Sequence, residues 1–491
     1  MNLADLTTLF PFVILAVGGV LLLLVDLVVP PSQKMLTGWL AFVVALAGGI
    51  AALTLVSGEI TLTFGGMVRG DAFAFFADAL LCAIAALVIL LSLRYNAARS
   101  LMRGEFYPLL LLSLSGMSLA AHAADLLIVF LAIELLSIPL YVLSGFARSQ
   151  LESEESALKY FLTGAFASGF LVYGIALIYG ATGTTALSAM RIAPISAAAL
   201  QNEALLRIGL ALVIGGLLFK VAVVPFHFWA PDVYEGAPTV VTAFMATATK
   251  AAAFLALVRV LAEFTMSAPV VAQPVFDVGD ELRLLLAALS ALTMIIGNAA
   301  ALLQNNVKRM LAYSSVAHAG YALAGVAAGD AVAVLFYLAA YAFATIAAFA
   351  VLVAVGSTPV EEHSYEAYSG LGRQAPVLGL TMALSMFSLI GIPPTAGFVG
   401  KYLLFQAIVA SDLVWLALLG VLTSVLSAAF YLRVVMTLFM REPEAESAAP
   451  VSDAPRAAAA YASVVAVLAI GLFPSLLLSL LGGKDLSAFV R

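Results

Sequence analysis

Residues 211–250 read ALVIGGLLFKVAVVPFHFWAPDVYEGAPTVVTAFMATATK, and the rest of the chain is organised around them. An apolar run carries one lysine, Lys220, near its middle. Five residues later Pro225 interrupts the run, His227 follows, and a polar turn from Asp232 to Pro238 ends it. The next apolar run carries a second lysine, Lys250, again near its middle. A lysine at bilayer depth costs at least ~2.5–3.5 kcal/mol, so two in adjacent helices need a reason. Proline removes a backbone hydrogen bond and clashes with the preceding turn, so the first helix should break where freed groups can face a cavity. Buried lysines beside a broken helix point to an ion or proton path.

Hydrophobic residues make up 64% of the 491-residue chain and charged residues only 10%, against about 25% charged in soluble domains. With a mean hydropathy of +1.12, the composition specifies an all-α polytopic membrane protein without a sizeable aqueous domain. The apolar runs are continuous rather than alternating, which excludes a transmembrane β-barrel. Cys82 is the only cysteine, so the chain has no disulfide, no CxxC and no thiolate set for an iron–sulfur cluster. No glycine motif is placed to cradle phosphate. No metal-binding, cofactor-binding or nucleic-acid-binding signature is present.

Working outward, the apolar runs divide into fourteen helices, each near the ~20 residues needed to span a bilayer. The first, Leu9 to Val29, has no Lys or Arg before it, so no cleaved signal peptide is expected. The runs group as a three-helix segment (residues 1–105), helices 4–8 (106–263), helices 9–13 (282–440) and a last helix (458–491). Loops after odd-numbered helices hold Lys34, Arg94, Arg99, Arg103, Arg148, Lys308, Arg309, Arg373, Arg441 and Arg456. The other side holds Arg69, Arg191, Arg207, Arg283, Lys484 and Arg491. This bias places both termini outside. Helix 7 breaks at Pro225 and helix 12 within Gly391-Ile392-Pro393-Pro394. Broken helices in corresponding halves predict two inverted-topology five-helix repeats with a site near the midplane.

The candidate chemistry lies in a few ionisable groups. Glu134, deep in helix 5, needs a partner or a proton, and Lys220 and Lys159 are the available cations. Lys220, Lys250 and Lys401 have no carboxylate three or four residues away on their own helices. Lys220 and Lys250 each stand about ten residues, or ~15 Å of rise, from an expected helix end, too far for easy snorkelling. A lysine amine can exist charged or neutral at accessible pH, whereas arginine cannot deprotonate, so lysines suit a reversible proton carrier. His227 either relays protons past the break or caps the freed carbonyls. On helix 10, Ser314, Ser315, His318 and Tyr321 fall on one face as a polar stripe, serving relay or helix adhesion. Lys159 follows Glu152, Glu154 and Glu155 near the start of helix 6 and also fits an interfacial anchor. Arg259 and Arg433 need partners and read as structural; Asp26 and Asp78 are weaker candidates.

At these residues the chain resembles the antiporter-like subunits of respiratory complex I, the NADH–quinone oxidoreductase. The resemblance is carried by Phe219-Lys220 through Pro225-Phe226-His227-Phe228-Trp229-Ala230-Pro231-Asp232, by Ala237-Pro238-Thr239, and by Lys308-Arg309-Met310-Leu311-Ala312-Tyr313-Ser314-Ser315. Gly391-Ile392-Pro393-Pro394 with Gly397-Phe398 and Lys401 matches as well. The turn Val233-Tyr234-Glu235-Gly236-Ala237-Pro238 looks most like the subunit N branch. The resemblance implies fourteen helices, two inverted repeats and a proton path, with roles for Glu134, Lys220, Lys250 and Lys401. The mechanism expected on this reading is that Glu134 paired with Lys220 keeps that lysine charged, and that parting the pair sends its proton through Lys250 towards Lys401, which releases it outside while Lys220 reloads from the cytoplasmic face. The resemblance also implies a bacterial inner-membrane location and other membrane-arm subunits as partners, with flavin, iron–sulfur clusters and quinone held by partner subunits and none in this chain. Two other functions remain open on the residues alone: a multi-subunit cation/proton antiporter, and a non-pumping structural subunit.

Overall fold

A computed structural model describes residues 3–56, 60–190, 202–265, 278–356, 361–442 and 453–481. Each of the fourteen predicted apolar runs is helical, and the labels α1–α14 follow them in order. They are α1 Phe10–Val28, α2 Met35–Leu55, α3 Ala72–Ala98, α4 Phe106–His122, α5 Leu126–Ser144 and α6 Leu151–Thr182. Then come α7 in two halves, Glu203–Lys220 and Trp229–Gly236, and α8 as Thr239–Phe244, a π turn at Met245–Thr249, and Lys250–Thr265. The second half of the chain holds α9 Val278–Leu302, α10 Val307–Ala327, α11 Ala331–Val355, α12 as Pro376–Ile390 plus Ala396–Ala410, α13 Val414–Met440 and α14 Ala454–Leu472. Among the described residues, ten helices are long and apolar enough to cross a membrane by themselves. The other four runs are short (α4), broken (α7 and α12), or begin with the charged pair Lys308-Arg309 (α10). Of the basic residues that set the predicted orientation, Arg191, Lys484 and Arg491 lie outside the described residues, as does the end of the 458–491 segment.

The helices are not equal in depth. The spanning window of α8 is 100% buried by neighbouring protein and that of α11 is 89% buried, whereas that of α1 is 22% buried. Lys250 therefore stands on the helix most completely sheltered from lipid. Pairing follows one scheme in both halves: α4 packs on α5 and α6 on α7, while α9 packs on α10 and α11 on α12.

Three features depart from the sequence-based expectation. Helix 7 does not run on past Lys220: its first half ends there, so Lys220 is a terminal residue rather than one about ten residues from an end. The cause is Pro225, whose ring clashes with the carbonyl four residues back and disfavours helical backbone at Val224. The freed groups are satisfied locally: the Val224 N–H donates to Thr293 Oγ1 at 3.1 Å, and the Trp229 indole N–H donates to the Phe219 carbonyl at 3.1 Å. A small antiparallel hairpin, β1 Thr61–Thr63 with β2 Val68–Gly70, joins α2 to α3, an extended element that the hydropathy pattern did not contain. Finally, the loop before α12 is partly helical, turning by 115° between Glu366–Gln374 and Pro376–Ile390.

The contact between α4 and α5, which positions Glu134, depends on Gly116. A Cβ there would meet the Leu136 backbone nitrogen at 2.3 Å. Gly116→Ala should therefore push the two helices apart at a cost of about 1–3 kcal/mol. The expected outcome is a lower midpoint on heating the detergent-solubilised protein; an unchanged midpoint would show that α5 can shift freely.

Candidate functional site

Asp125 caps the start of α5, accepting the Leu127 N–H at 2.8 Å, and the helix carries Glu134 inward. Glu134 is half-buried and accepts a hydrogen bond from the Ser168 hydroxyl on α6. The expected ion pair with Lys220 does not form: no Glu134–Lys220 contact falls within 4.0 Å. Instead Tyr141, seven residues after Glu134 and so on the same face of α5, accepts from the Lys220 amine at 3.3 Å. Glu134 is still near enough to act on that amine through the electric field.

Lys220 is 3% exposed and caged by aromatic rings. Its amine lies 5.3 Å from the ring centres of Tyr141 and Tyr160 and 5.7 Å from that of Phe219. Such rings attract a cation with their electron-rich faces. Tyr160 in turn stacks on Trp229 at 4.8 Å, so the second half of α7 braces the cage. His227 lies in the break between the halves. Its Nδ1 is buried without a hydrogen-bond partner, and one carbonyl at the break, that of Phe219, is capped by Trp229 instead.

Lys250 follows a π turn, an irregularity often found at functional sites. Its amine donates to Ser315 Oγ at 2.5 Å and to the Ser315 carbonyl, and the Tyr341 hydroxyl donates to the same Oγ at 2.8 Å. The polar stripe of α10 continues from there. His318 Nδ1 lies 2.6 Å from the Tyr337 hydroxyl and Nε2 lies 3.0 Å from the Tyr431 hydroxyl, which also bonds Ser314. Tyr321 bonds Thr423 at 3.0 Å, and its ring centre lies 4.8 Å below the amine of Lys401. The stripe thus meets Lys250 at one end and Lys401 at the other.

Lys401 belongs to the second half of α12, yet its amine reaches back to the end of the first. It donates to the carbonyls of Leu389 at 3.0 Å and Ile390 at 2.8 Å, and to Ser424 Oγ at 2.7 Å. Those carbonyls are open because the first half stops at Gly391, whose φ of +94° only glycine adopts readily. Lys220 likewise stands at the C-terminal end of the first half of α7. Both lysines thus belong to the negative end of a half-helix dipole, Lys401 through its amine and Lys220 as the last residue of its half, although they come from opposite sides of their breaks.

The structure does not bring all the predicted residues together. No side-chain hydrogen bond among the described residues joins Lys220 to Lys250. Lys159 stands apart and is 42% exposed, bonded to Glu155 at 2.6 Å and Asp232 at 2.9 Å in a network that includes Arg309. Arg259 is held by both oxygens of Asp71, at 2.7 and 2.6 Å, while Arg433 lies 4.1 Å over the Tyr365 ring. Asp26 pairs with Lys34 at 2.5 Å.

Two clusters escaped the sequence as clusters, although Asp78 stood among its weaker candidates. In the loop before α12, Glu361 accepts from the Tyr95 hydroxyl and from Lys308 at 3.3 Å. Burial alone would raise the Glu361 carboxyl, but Lys308 and its neighbours outweigh it and hold the group down to about 2. His363 beside it is pushed by burial down to about 4 and is neutral at physiological pH. This cluster locks the loop to Thr239 at the start of α8, through His363 Nε2 at 3.2 Å from Thr239 Oγ1. The other cluster pairs Asp78 with His122. Among the described residues, no group of three His, Cys, Asp or Glu is placed to hold a metal ion.

With this geometry in hand, the chain can be set beside known proteins. The profile of the family described as NADH:quinone oxidoreductase/Mrp antiporter, transmembrane, matches residues 123–427. NADH-quinone oxidoreductase subunit N of Trichlorobacter lovleyi is 44% identical, with 96% of each chain covered. That of Chloroflexus aggregans is 44% identical, over 96% of this chain and 95% of the relative. Among solved structures, a chain of respiratory complex I from Thermus thermophilus superposes with a TM-score of 0.80 at 39% identity, covering 96% of this chain and 98% of that one. A chain of the Mrp complex from Dietzia shares the fold, with a TM-score of 0.82 at 24% identity over 100% and 99% of the two chains. An all-helical chain with paired broken helices, buried lysines on both halves and relatives this close over nearly its whole length belongs to the subunit N family of NADH-quinone oxidoreductase, the antiporter-like subunits of the complex I membrane arm.

Proposed function

We propose that this chain moves protons across the membrane as one of the pumping subunits of the complex I membrane arm, through Glu134, Lys220, Lys250, His318 and Lys401. The observation that carries the proposal is Lys250: an amine 2% exposed, on the most sheltered helix, with no carboxylate among the described residues within 4.0 Å. A buried cation without a counter-ion is a poor structural brace, since nothing offsets its lost hydration. Its two bonds to Ser315 suit either form of the amine, because a neutral amine keeps two N–H groups to donate to the carbonyl and the hydroxyl. The aromatic cage around Lys220 offers the first station, and Tyr431, His318 and Tyr337 offer exchangeable protons between Lys250 and Lys401. Glu134 modulates Lys220 from a distance rather than as its ion-pair partner. His227, in the break, is a second-rank candidate for proton uptake, and Lys159 anchors the α6–α7–α10 edge.

In this proposal the flavin, iron–sulfur clusters and quinone belong to partner subunits and this chain holds no redox centre. Residues 106–263 and 282–440 act as the two halves of the translocation unit, and the membrane is the bacterial inner membrane. The test is NADH-driven proton uptake by inside-out vesicles carrying Lys250→Ala, normalised to assembled complex. Uptake should fall by about 10²-fold or more, the range for losing a positioned proton-transfer group. Wild-type uptake, or uptake that requires sodium, would reject the proposal in favour of a structural subunit or a cation antiporter.

We also propose that both termini face the periplasm, from the bias of basic residues between loops. A single cysteine placed at the exposed Ser149, in a Cys82→Ser background, should react with an impermeant reagent from the cytoplasmic side only. Reaction from outside would invert the topology.

A further inference from the structure

In an α-helix each carbonyl accepts the N–H of the residue four positions later. For Leu389 and Ile390, the last two residues of the first half of α12, those donors would come from positions 393 and 394. Both positions are proline, which has no N–H. Two neighbouring carbonyls therefore lose their regular partners together. Their neighbours find backbone donors: the Phe387 carbonyl accepts from Gly391 at 3.0 Å and from Ile392 at 2.9 Å, and the Ile392 carbonyl accepts from Thr395 at 3.2 Å. A buried carbonyl left without a donor costs about as much as a lost hydrogen bond.

The Lys401 amine serves both carbonyls, at 3.0 and 2.8 Å, and Ser424 Oγ on α13 adds a third oxygen at 2.7 Å. Ser424 gives its own hydrogen to the Ile390 carbonyl at 3.0 Å, so its lone pairs are left to the amine. The Tyr321 ring closes a further side at 4.8 Å, and among the described residues no carboxylate lies within 4.0 Å of this nitrogen. The lysine stem arrives over Gly391, where an added Cβ would stand 3.0 Å from its Cδ. The break of α7 has no such set of oxygens. It contains one proline, the Phe219 carbonyl takes the Trp229 indole, and the Lys220 amine meets Tyr141 and aromatic rings.

We infer that the α12 break is itself a binding site for a small monovalent cation of the ammonium type, and that Lys401 is the tethered form of that ligand. Backbone and Ser424 fix the oxygens, and the negative end of the half-helix dipole adds to their attraction. The station is thus defined by the break, and the lysine amine returns to it. In a chain without the lysine side chain, a free ammonium ion takes the same three oxygens. It gives up one proton along the route that Lys401 uses, remains as ammonia, and accepts the next proton, so only N–H bonds break and form. This inference rests on the pumping function proposed above.

The test is chemical rescue of Lys401→Ala, which empties the space of the side chain and leaves Leu389, Ile390 and Ser424 in place. The readout is the rate at which NADH builds a membrane potential in inside-out vesicles, per assembled complex, because ammonia crosses bilayers and would erase a pH gradient. Without ammonium the rate should fall about 10²-fold. Ammonium chloride should raise it again by about tenfold, with saturation. Potassium chloride, which brings the charge without a proton, should restore nothing. Adding Ser424→Ala removes one of the three oxygens and should raise the half-saturating ammonium concentration about tenfold. Lys401→Met, whose side chain refills the space, should not respond. Loss of rate in Lys401→Ala with no response to ammonium would overturn the inference and leave the pumping function standing. An equal response in Lys401→Met, or restoration by potassium, would overturn it as well. A wild-type rate in Lys401→Ala without ammonium would remove both the inference and Lys401 from the path. Should the alanine form not assemble, Lys401→Ser takes the same salts and is held to the same outcomes.

Discussion

Lys220→Arg is expected to cut coupled NADH oxidation and proton uptake by about 10²-fold in fully assembled complex. The substitution retains what a structural role requires. Guanidinium keeps the positive charge, reaches a similar distance and stacks at least as well on aromatic faces as ammonium does. The cage of Tyr141, Tyr160 and Phe219 would hold it. What it cannot do is release its proton, since guanidinium stays protonated at any pH the cell reaches. Lys401→Arg should behave the same way, though its partners are the Leu389 and Ile390 carbonyls and Ser424 rather than rings. If Lys220→Arg pumps normally while Lys220→Ala does not, the positive charge alone is the requirement, and Lys220 is a fixed electrostatic element. Rates of proton uptake and of quinone reduction, both per assembled complex, decide the matter.

Glu134→Ala is the second large effect, expected at about tenfold on the same rates. The carboxylate acts on Lys220 without touching it, so its removal changes the field at the amine while leaving the cage intact. Glu134→Gln keeps the bond to Ser168 and removes the charge, so it should match the alanine variant if the field is what matters. Near-normal rates in Glu134→Gln with loss in Glu134→Ala would instead assign Glu134 to holding α5 against α6.

Much of this site could be seen in the sequence, because cost is visible there. Lys220, Lys250, Lys401 and Glu134 stand out from apolar runs since each needs an explanation in hydrocarbon. The two breaks were equally plain from Pro225 and from Pro393-Pro394. Pairing between helices was not visible, because it depends on how neighbouring helices rotate and slide. Nothing in the order of residues says that Ser168 rather than Lys220 meets Glu134, or that Lys401 reaches back over its own break. The end of the first half of α7 at Lys220 was legible in principle, since proline acts on the carbonyl four residues upstream. Tyrosines hide for a different reason. Tyr141, Tyr337, Tyr341 and Tyr431 blend into apolar runs, yet their hydroxyls bond Lys220, His318 and the Ser314–Ser315 pair beside Lys250. The pairing of Asp78, a weaker candidate, with His122 was hidden because each lies near a helix end, where a polar group usually meets the interface. Their burial is produced by α8 and the hairpin packing over them.

The central claim is that protons pass through the amine of Lys250, and NADH-driven proton uptake by Lys250→Arg vesicles tests it most directly. Lys250 is 2% exposed, its neighbours are the Ser315 hydroxyl and carbonyl, and among the described residues no carboxylate within 4.0 Å supplies a structural reason for a cation. The account predicts that uptake per assembled complex falls by about 10²-fold or more, as far as in Lys250→Ala. Wild-type uptake with a permanently protonated guanidinium at this position would contradict it.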